Sequence, residues 1–589
     1  MRTSAKLFAA FAMSLGTALI AQDNAGAPAP AADFGQPPKP AEPVAPKLDS
    51  GQRWIFAFAN FANESRSQEL VDLVKRGHKA GYNGILISDV KFDKLQLTDE
   101  AYKKRLQSFR QVCKDEGVKL AVHVGAYGYA DMFLTHDRNL AEGMPVRNAT
   151  FIVRDGKLVP FDETTKLVNG SFEELKDGLP VGWTLDEPGK STTIDEAQKT
   201  DGKVGLCMKE AKAVVRASQK VKVEPWHYYI ISARCKTQNW PPRGIRLQAV
   251  SSGPEGALND QEMHAEKTAD WKMLCSNFDS QGATEANIQF GNWDSRGGTG
   301  WWDECKIQPG GFINIIRRDD LPLTVTSEDG KTTYEEGKDF SKVEDPKFMN
   351  DPNPGYFTLL HEQPTVTIPA GSRLVEGQKV LASYHFASES GKAGQMNVCM
   401  AEPKVYPLLE EVVTWMKNNV QPDMYFMAYD EMRHAGWDDS CTKSGKTPGQ
   451  LLADSVRTFT QIIKKVDPGK PISTWSDMFD PYHNASPTKK HYYMVKGDGP
   501  WARSWEGLST DVIIFNWYNN KPNDMKFFAD RGNQQILSGY YDADPKRIIA
   551  WLEMGKDLPG IIGVMYTTWV NDYSKLEEFS QAASSASKP

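Results

Sequence analysis

Short apolar runs alternate with amphipathic helical segments in two separate stretches of the chain. The first stretch, residues 52–166, contains the runs RWIFAFANF, GYNGILISDV and VKLAVHVGAYGY, and a segment between the first two carries Leu70, Leu73 and Val74 on one helical face. Continuous apolar runs separated by helices are typical of parallel strands that are buried on both faces. The pattern therefore predicts three parallel strands in this stretch.

The same rhythm returns in residues 404–578. Val405, Leu409 and Met416 lie on one face of a predicted helix, and the strand DMYFMAYDE follows. Thr447 to Gln450 has the pattern of a capping box with proline at the first helical position, which predicts the start of another helix. Four further apolar runs are PISTWSDMF, DVIIFNWY, QQILSGYYD and GIIGVMYTTW. Three strands and then five predict an α/β fold, a (β/α)8 TIM barrel interrupted after its third strand.

The interrupting residues have a different pattern. Residues 167–310 alternate apolar and polar positions with period two, carry turn residues about every ten positions and show no long helical signal, which predicts a β-sandwich. Residues 311–403 are also rich in predicted strands, and we interpret them as a β-rich extension. The 11 residues 579–589 are expected to form a flexible tail.

The first 51 residues have no globular pattern. Residues 1–21 combine Arg2 and Lys6 with an apolar stretch of small residues, as in a secretory signal peptide, and residues 22–51 form a Pro/Ala-rich linker. The leader predicts a secreted or periplasmic protein. No later stretch approaches the eighteen apolar residues of a membrane helix, so the mature chain is expected to lack a membrane span.

The composition of the chain argues against some classes of function. Lys and Arg number 69 against 76 Asp and Glu, and no basic run suggests binding to nucleic acid. The seven cysteines show no CxxC pair and no zinc-like spacing, which argues against a disulfide scaffold but leaves a bridge or two open among the four in the sandwich segment. Aromatic residues make up 11% of the chain. Flat rings suit both protein cores and the faces of sugars.

Polar and aromatic residues gather where the predicted barrel strands end, which is where such barrels place their active sites. Carboxyl groups beside stacking rings are what glycosidic bond cleavage needs. We predict Glu431 and Asp430 as catalytic residues because the pair directly follows a buried strand, where burial raises the pKa of an acid. The predicted substrate-binding residues are Asp89, Lys91, His123, Arg433, Trp475, Asp477, Asn516, Trp517, Tyr540, Tyr541, Asp542, Tyr566 and Trp569.

Four motifs lie at the predicted strand ends: an Asp-Glu pair ends strand four, Trp-x-Asp lies on strand five, Tyr-Asp lies on strand seven, and a Trp closes strand eight. Together they resemble the barrel of glycoside hydrolase family 20, the β-N-acetylhexosaminidases. The resemblance covers the two barrel stretches. It implies that Asp430 orients the substrate's own 2-acetamido group, which attacks the anomeric carbon, and that Glu431 is the general acid and then the base. Family 20 has His-x-Gly-Gly before its pair, whereas this chain has Phe426, Ala428 and Tyr429.

The sandwich segment, with NGSFEE near its start and WWDECKI near its end, resembles a carbohydrate-binding module. Trp240 and Trp293 lie in turn-like contexts and are the predicted exposed stacking rings. Some sandwiches of this type hold a structural calcium, and the sequence leaves such an ion open without defining its ligands. No catalytic metal or other cofactor is expected.

Three functions follow from these observations. The first is an exported, exo-acting glycoside hydrolase of N-acetylated or other host-type glycans, working by substrate assistance with retention. The second is a hydrolase for another sugar on the same barrel, such as a sialidase, with Arg433 or Lys91 receiving the sialic acid carboxylate. The third is a glycan-binding protein without catalysis.

Overall fold

A computed structural model describes residues 51–209, 214–240, 244–259, 262–263, 266–293, 297–348, 361–388, 395–487, 494–517 and 522–586. The predicted signal peptide and all but the last residue of the predicted linker lie outside these ranges. Within the described residues, no helix is both long enough and apolar enough to cross a membrane.

The first part of the chain alternates strands with helices. The elements are β1 (Gln52–Phe58), α1 (Glu64–Lys79), β2 (Gly84–Ser88), α2 (Glu100–Asp115), β3 (Lys119–Val124) and the short helix α3 (Asp131–Leu134). The side chains of Asn63 and Asp99 cap α1 and α2, because each accepts a hydrogen bond from a backbone N–H in the first turn. The apolar faces of both helices pack against the outside of the strands.

Residues 143–387 form three antiparallel sheets of five strands each. Their strands are β4 (Gly143–Arg154), β5 (Lys157–Pro160), β6 (Leu175–Lys176), β7 (Leu179–Pro180), β8 (Thr184–Leu185), β9 (Thr192–Asp195), β10 (Gly205–Lys209), β11 (Val214–Lys222), β12 (Tyr228–Gln238), β13 (Ile245–Ser251), β14 (Glu262–Met263), β15 (Ala269–Asp279), β16 (Glu285–Trp293), β17 (Thr299–Pro309), β18 (Thr324–Ser327), β19 (Thr333–Tyr334) and β20 (Lys379–Ala387), with β6 and β7 forming a separate hairpin.

Two of these sheets share one apolar core. The sheets have the strand orders β15-β12-β17-β10-β9 and β14-β13-β16-β11-β8. Buried side chains from both, such as Tyr229 and Leu247, belong to one cluster. The third sheet, β19-β18-β20-β4-β5, packs around a core of its own that contains Phe151 and Phe386.

The last part of the chain returns to the barrel. Its elements are α4 (Val405–Asn419), β21 (Met424–Met427), β22 (His434–Ala435), α5 (Asp439–Lys443), α6 (Pro448–Val466), β23 (Ile472–Trp475), β24 (Met494–Val495), β25 (Val512–Asn516), α7 (Pro522–Arg531), β26 (Gln535–Ser538), α8 (Arg547–Gly555), β27 (Ile561–Tyr566) and α9 (Leu576–Ala586). Thr447 and Gln450 form both hydrogen bonds of a capping box at the start of α6. The residues expected to form a flexible tail lie in α9 as far as Ala586, with Phe579 buried.

Eight parallel strands close into a barrel in the order β1-β2-β3-β21-β23-β25-β26-β27. The join across the long insertion pairs Ala121 with Met424, and the barrel closes where Gln52 pairs with Gly563. Rings such as Trp54 and Phe426 fill the inside. Because all strands are parallel, their carboxyl ends lie at one rim.

The predicted α/β class with a (β/α)8 TIM barrel is wrong. The structure has a closed parallel barrel together with many antiparallel strands, and only 25% of it is helical. A regular alternation also fails between β23 and β25, where the described residues contain 3-10 helices at Asp477–Phe479 and Ser504–Gly507 but no α-helix. That connection contains Pro481, Pro487 and Pro500. Prolines interrupt helical hydrogen bonding, which explains the irregular backbone.

Candidate active site

A cavity lies at the carboxyl ends of the barrel strands. Three rings form part of its wall: the centroids of Phe56 and Trp569 are 5.2 Å apart, and those of Trp475 and Trp569 are 5.7 Å apart. Polar side chains from several strand ends also line it, namely Ser88, Asp89, Asp93, His123, Tyr129 and Asp430. Apolar rings and carboxyl groups therefore face one enclosed space.

Asp430 follows β21 and lines this cavity. Burial, and then the negative charges of Asp477 and Glu431, raise the pKa of Asp430 well above its usual range, against a smaller opposite effect of Arg433. Because its pKa is raised, the Asp430 carboxyl group keeps its proton to a higher pH than an ordinary aspartate does.

The backbone at Asp430 is closely packed. A Cβ added at Gly128 would lie 2.1 Å from the Asp430 carbonyl oxygen.

Glu431 has a strained backbone and a fixed side chain. Its φ of 43° lies in the left-handed region, which costs energy for a residue other than glycine. One carboxylate oxygen is 3.1 Å from a guanidinium nitrogen of Arg433, and the other accepts a hydrogen bond from the Tyr129 hydroxyl. The Gln395 amide lies 3.4 Å from that second oxygen. The Glu431 carboxylate is thus paired with a cation, whereas the environment of Asp430 favours a neutral carboxyl group.

Asp477 connects the fourth and fifth strand ends. Its carboxylate accepts hydrogen bonds from the backbone N–H of Glu431 at 3.1 Å, the side-chain amide of Asn484 at 3.0 Å and the indole N–H of Trp517 at 3.3 Å. Burial raises the pKa of Asp477 to about 6, although these hydrogen bonds act in the opposite direction. The contacts indicate that Asp477 orients the Glu431 backbone.

The segment Gln395–Cys399 holds the loop that follows Asp430. The Gln395 amide donates to the Glu431 carbonyl oxygen at 3.3 Å. The Asn397 side-chain oxygen accepts from the backbone N–H groups of Arg433 at 3.1 Å and His434 at 3.0 Å. The insertion thus returns to the barrel through residues that fix the candidate catalytic loop.

The seventh and eighth strand ends orient two of the aromatic rings. Tyr541 and Asp542 have φ values of 53° and 51°. The Tyr541 ring stacks on Trp517 at 5.4 Å and meets Trp569 edge-on. Asp542 accepts hydrogen bonds from the Thr568 hydroxyl and, at 2.7 Å, from the backbone N–H of Trp569. Asp542 therefore fixes the cavity wall.

His123 and Asp89 also line the cavity, but both have other contacts. His123 stacks on Phe426 at 5.4 Å and lies 3.3 Å from the Ser88 hydroxyl, and burial lowers its pKa to about 4. Asp89 accepts hydrogen bonds from the backbone of Phe61 and the hydroxyl of Tyr102. His123 is therefore neutral near pH 7, and Asp89 is held by structural hydrogen bonds.

Other predicted site residues lie apart from the cavity. Tyr540 and Tyr566 stack on each other at 4.4 Å in the outer core, where Tyr566 meets Phe579 of α9. The Asn516 side chain donates to Gln535 of the next strand. Lys91 does not line the cavity itself, but its ammonium group lies 3.8 Å from the carboxylate of Asp89, which does. The continuous apolar runs of the barrel left the strand register open, and the direction of Tyr540 and Tyr566 depends on that register.

Some residues of the site were not predicted from the sequence. Tyr129, Asp93 and Phe56 line the cavity, and Gln395 and Asn397 support it. Tyr129 ends the run of polar and aromatic residues that follows the third strand. The same pattern, polar and aromatic residues at a strand end, that identified residues on the other strands would also have identified Tyr129. The chain offers no such signal at Gln395 or Asn397, because both lie far from any barrel strand in sequence.

The sandwich differs from its prediction at one ring. Trp240 was predicted to be exposed, but it is fully buried in the sandwich core because the apolar faces of both sheets enclose it. Trp293 is half-buried, with the Arg216 guanidinium 5.8 Å from its ring centroid. The cysteines of the described residues are free, so the structure shows no bridge in this segment. The structural calcium stays a prediction.

Comparisons with known proteins give distant structural likenesses. No protein-family model matches the chain, and no curated protein matches it, so the resemblance to family 20 finds no support there. A xylan-binding domain, CBM22-1 of Paenibacillus barcinonensis, is 18% identical over 24% of this chain and 91% of its own length, with a TM-score of 0.19. A module solved with β-1,4-galactotriose is 16% identical over 24% of this chain and 97% of its own, with a TM-score of 0.20.

One likeness extends over most of the chain. A rhamnosidase from Novosphingobium sp. PP1Y is 10% identical over 91% of this chain and 59% of its own length, with a TM-score of 0.31. The chain thus spans less than two thirds of that enzyme.

Proposed function

We propose that the chain is an exported glycoside hydrolase in which Asp430 is the general acid and Glu431 is the ionised partner. One observation carries the proposal: the Asp430 carboxyl group, whose pKa burial raises, lines an aromatic-walled cavity, and the carboxylate of the next residue, Glu431, is paired with the Arg433 guanidinium. Such a pair is the usual arrangement for acid-assisted cleavage of a glycosidic bond. The signal-like residues 1–21 support export.

The reaction would proceed at the mouth of the barrel. The Asp430 carboxyl group gives its proton to the glycosidic oxygen as the bond from that oxygen to the anomeric carbon breaks. The Glu431 carboxylate, held by Arg433 and Tyr129, stabilises the positive charge that develops on the sugar. The oxygen of a water molecule then bonds to the anomeric carbon, and a proton from that water returns to the Asp430 carboxylate. The rings of Trp569 and of the fully buried Trp475 form part of the apolar wall of the cavity in which the sugar would lie.

This assignment exchanges the roles that the resemblance to family 20 implies. In that scheme Glu431 is the acid and Asp430 holds an acetamide. The ion pair with Arg433 favours the charged form of Glu431, whereas Asp430 has the raised pKa and lines the cavity. The sialidase alternative is also less favoured, because Arg433 pairs with Glu431 and Lys91 lies beside Asp89.

Hydrolysis by the full chain tests the proposal. The wild type is assayed on a panel of aryl glycosides that includes a β-N-acetylhexosaminide and a sialoside, and on a mucin-type glycan with analysis of the released sugar. We expect release of one terminal sugar, and a loss of kcat of about 10³-fold or more in Asp430→Asn and Glu431→Gln. The released sugar identifies the substrate.

Asp511→Asn is the matched control, because Asp511 is exposed and pairs with Lys464 away from the cavity. Full activity in Asp430→Asn would contradict the assigned acid. Binding to a glycan array with no sugar released from any substrate would instead favour a glycan-binding protein without catalysis.

A further inference from the structure

A second cluster of reactive side chains lies outside the cavity. Glu142, Cys399, Asp438 and Cys441 each bring a possible ligand atom to within 4.8 Å of all the others. All four residues are buried, with at most 2% of their surface exposed. They come from three separate parts of the chain: the residue before β4, the end of the segment Gln395–Cys399, and the start of α5.

The distances inside this cluster match a tetrahedral metal site. The sulfur atoms of Cys399 and Cys441 are 3.7 Å apart, and the Cys441 sulfur is 3.4 Å from a Glu142 oxygen. A zinc ion with ordinary bond lengths would place two sulfur ligands about 3.8 Å apart and a sulfur and an oxygen ligand about 3.6 Å apart. A disulfide needs sulfur atoms about 2.05 Å apart. The geometry therefore fits four ligands around one ion better than a covalent bridge.

The electrostatic balance also favours a cation. Arg318 is the buried cation next to the cluster, and it lies 2.7 Å from Asp438, 2.9 Å from Asp320 and 3.5 Å from Glu402. One guanidinium is thus shared by three carboxylates. Two carboxyl groups and two thiols in a dry interior need more positive charge than it supplies if they are ionised.

We propose that Glu142, Cys399, Asp438 and Cys441 bind a structural zinc ion. Two thiolate donors select zinc over calcium or magnesium, which prefer oxygen ligands alone. Four protein ligands leave no open position, as expected for a structural rather than a catalytic site. With zinc bound, the four anionic ligands carry two net negative charges, and Arg318 offsets one of them.

The ion would fasten the candidate catalytic loop at two points. Cys399 ends the segment whose Gln395 and Asn397 hold the loop after Asp430, and Cys441 follows that loop in α5. Glu142 accepts a hydrogen bond from the backbone N–H of Trp437 at 2.8 Å, which already ties the insertion to the same loop.

Metal analysis of the full chain tests the site without any activity assay. The chain is produced with zinc in the medium, desalted and analysed by mass spectrometry for metals. We expect about one zinc per chain in the wild type and in the control Cys113→Ser, and about one tenth of that in Cys399→Ser/Cys441→Ser. Cys113 is a buried cysteine remote from the cluster.

Alkylation of the wild type provides the second measurement, which needs no variant to fold. Zinc should protect Cys399 and Cys441 from iodoacetamide, and a chelator should expose both while it lowers the melting temperature. A Cys399–Cys441 disulfide in peptide mass spectra would overturn the proposal. Failure to take up zinc after reduction and reconstitution would do the same. Neither outcome depends on whether the chain hydrolyses a glycan.

Discussion

The backbone N–H of Glu431 donates a hydrogen bond to the Asp477 carboxylate at 3.1 Å, so residues 46 positions apart are joined at the rim of the barrel. The same carboxylate accepts bonds from Asn484 and Trp517. An acceptor of three hydrogen bonds holds the left-handed backbone of Glu431 in place. The fifth strand end therefore sets the position of a group on the fourth.

Replacing Asp477 with asparagine should lower kcat by about 10²-fold. The new amide nitrogen would face one of the N–H groups that the carboxylate now accepts from, and the backbone of Glu431 would shift. KM should change much less, since Asp477 positions Glu431 and does not itself line the cavity. Steady-state kinetics on the best aryl glycoside measures both constants. Asp511→Asn should behave as the wild type, and an Asp477→Asn enzyme with unchanged kcat would contradict the positioning role.

Asp430→Asn should be most harmful where the leaving group is poor. A general acid matters less when the departing phenol needs no proton. The loss of kcat/KM caused by Asp430→Asn should therefore be smaller, by a factor of about 10² or more, on a dinitrophenyl glycoside than on an unsubstituted phenyl glycoside. Glu431→Gln should lose activity to a similar extent on both. Equal losses for Asp430→Asn on the two substrates would show that it is not the proton donor.

Gly128→Ala should damage both stability and activity. The added Cβ would lie 2.1 Å from the carbonyl oxygen of Asp430, a backbone atom that cannot move without shifting the proposed catalytic residues Asp430 and Glu431. We expect the free energy of unfolding to fall by about 1–3 kcal/mol and kcat to fall at least tenfold.

Chemical denaturation and kinetics check the effect of Gly128→Ala. Gly156→Ala is its control: no atom lies within 4 Å of a Cβ there, and its φ of 66° alone should cost about 1 kcal/mol with kcat unchanged. A Gly128→Ala protein as stable as the wild type would show that the Asp430 carbonyl group does not pack against Gly128.

Asp279 should make stability depend on pH. Burial raises its pKa to about 8, above the value near 3.9 expected in the unfolded chain. Between these values the folded protein keeps a proton that the unfolded chain releases. The stabilisation from this proton is therefore complete below about pH 4 and is lost as the pH rises through about 8.

Urea denaturation at several pH values compares the wild type with Asp279→Asn, which cannot titrate. The wild type should lose about 1.4 kcal/mol per pH unit relative to the variant between pH 5 and pH 7.5. A difference that does not change with pH would place the pKa of Asp279 outside this range.

The sequence predicted the strands of the barrel better than their connections. Apolar runs such as VKLAVHV correspond to β3, and the Thr447 capping box opens α6 as expected. The connection after Trp475 has no helical stripe, and its short 3-10 turns depend on tertiary contacts. The buried ring of Trp240 shows the same limit, because a turn-like sequence does not reveal which sheet faces cover it.

The candidate site was predictable where strand ends supply it. Asp430, Trp475 and Trp569 line the cavity because each follows an apolar run that forms a barrel strand. Tyr540 and Tyr566 point to the outer core instead, since a shift of one residue in register reverses the side of a strand. Gln395 and Asn397 reach the site through the insertion, and no local pattern records such a long-range contact.

The pairing of Ala121 with Met424 has a consequence for synthesis on the ribosome. Three parallel strands are made first, and both outer edges, on β1 and β3, stay unpaired until β27 and β21 arrive. The sandwich has a core of its own, and all of its strands are synthesised before β21 and β27. Barrel closure is therefore a late, non-local folding step, and a chain released before β27 would expose edges that favour aggregation.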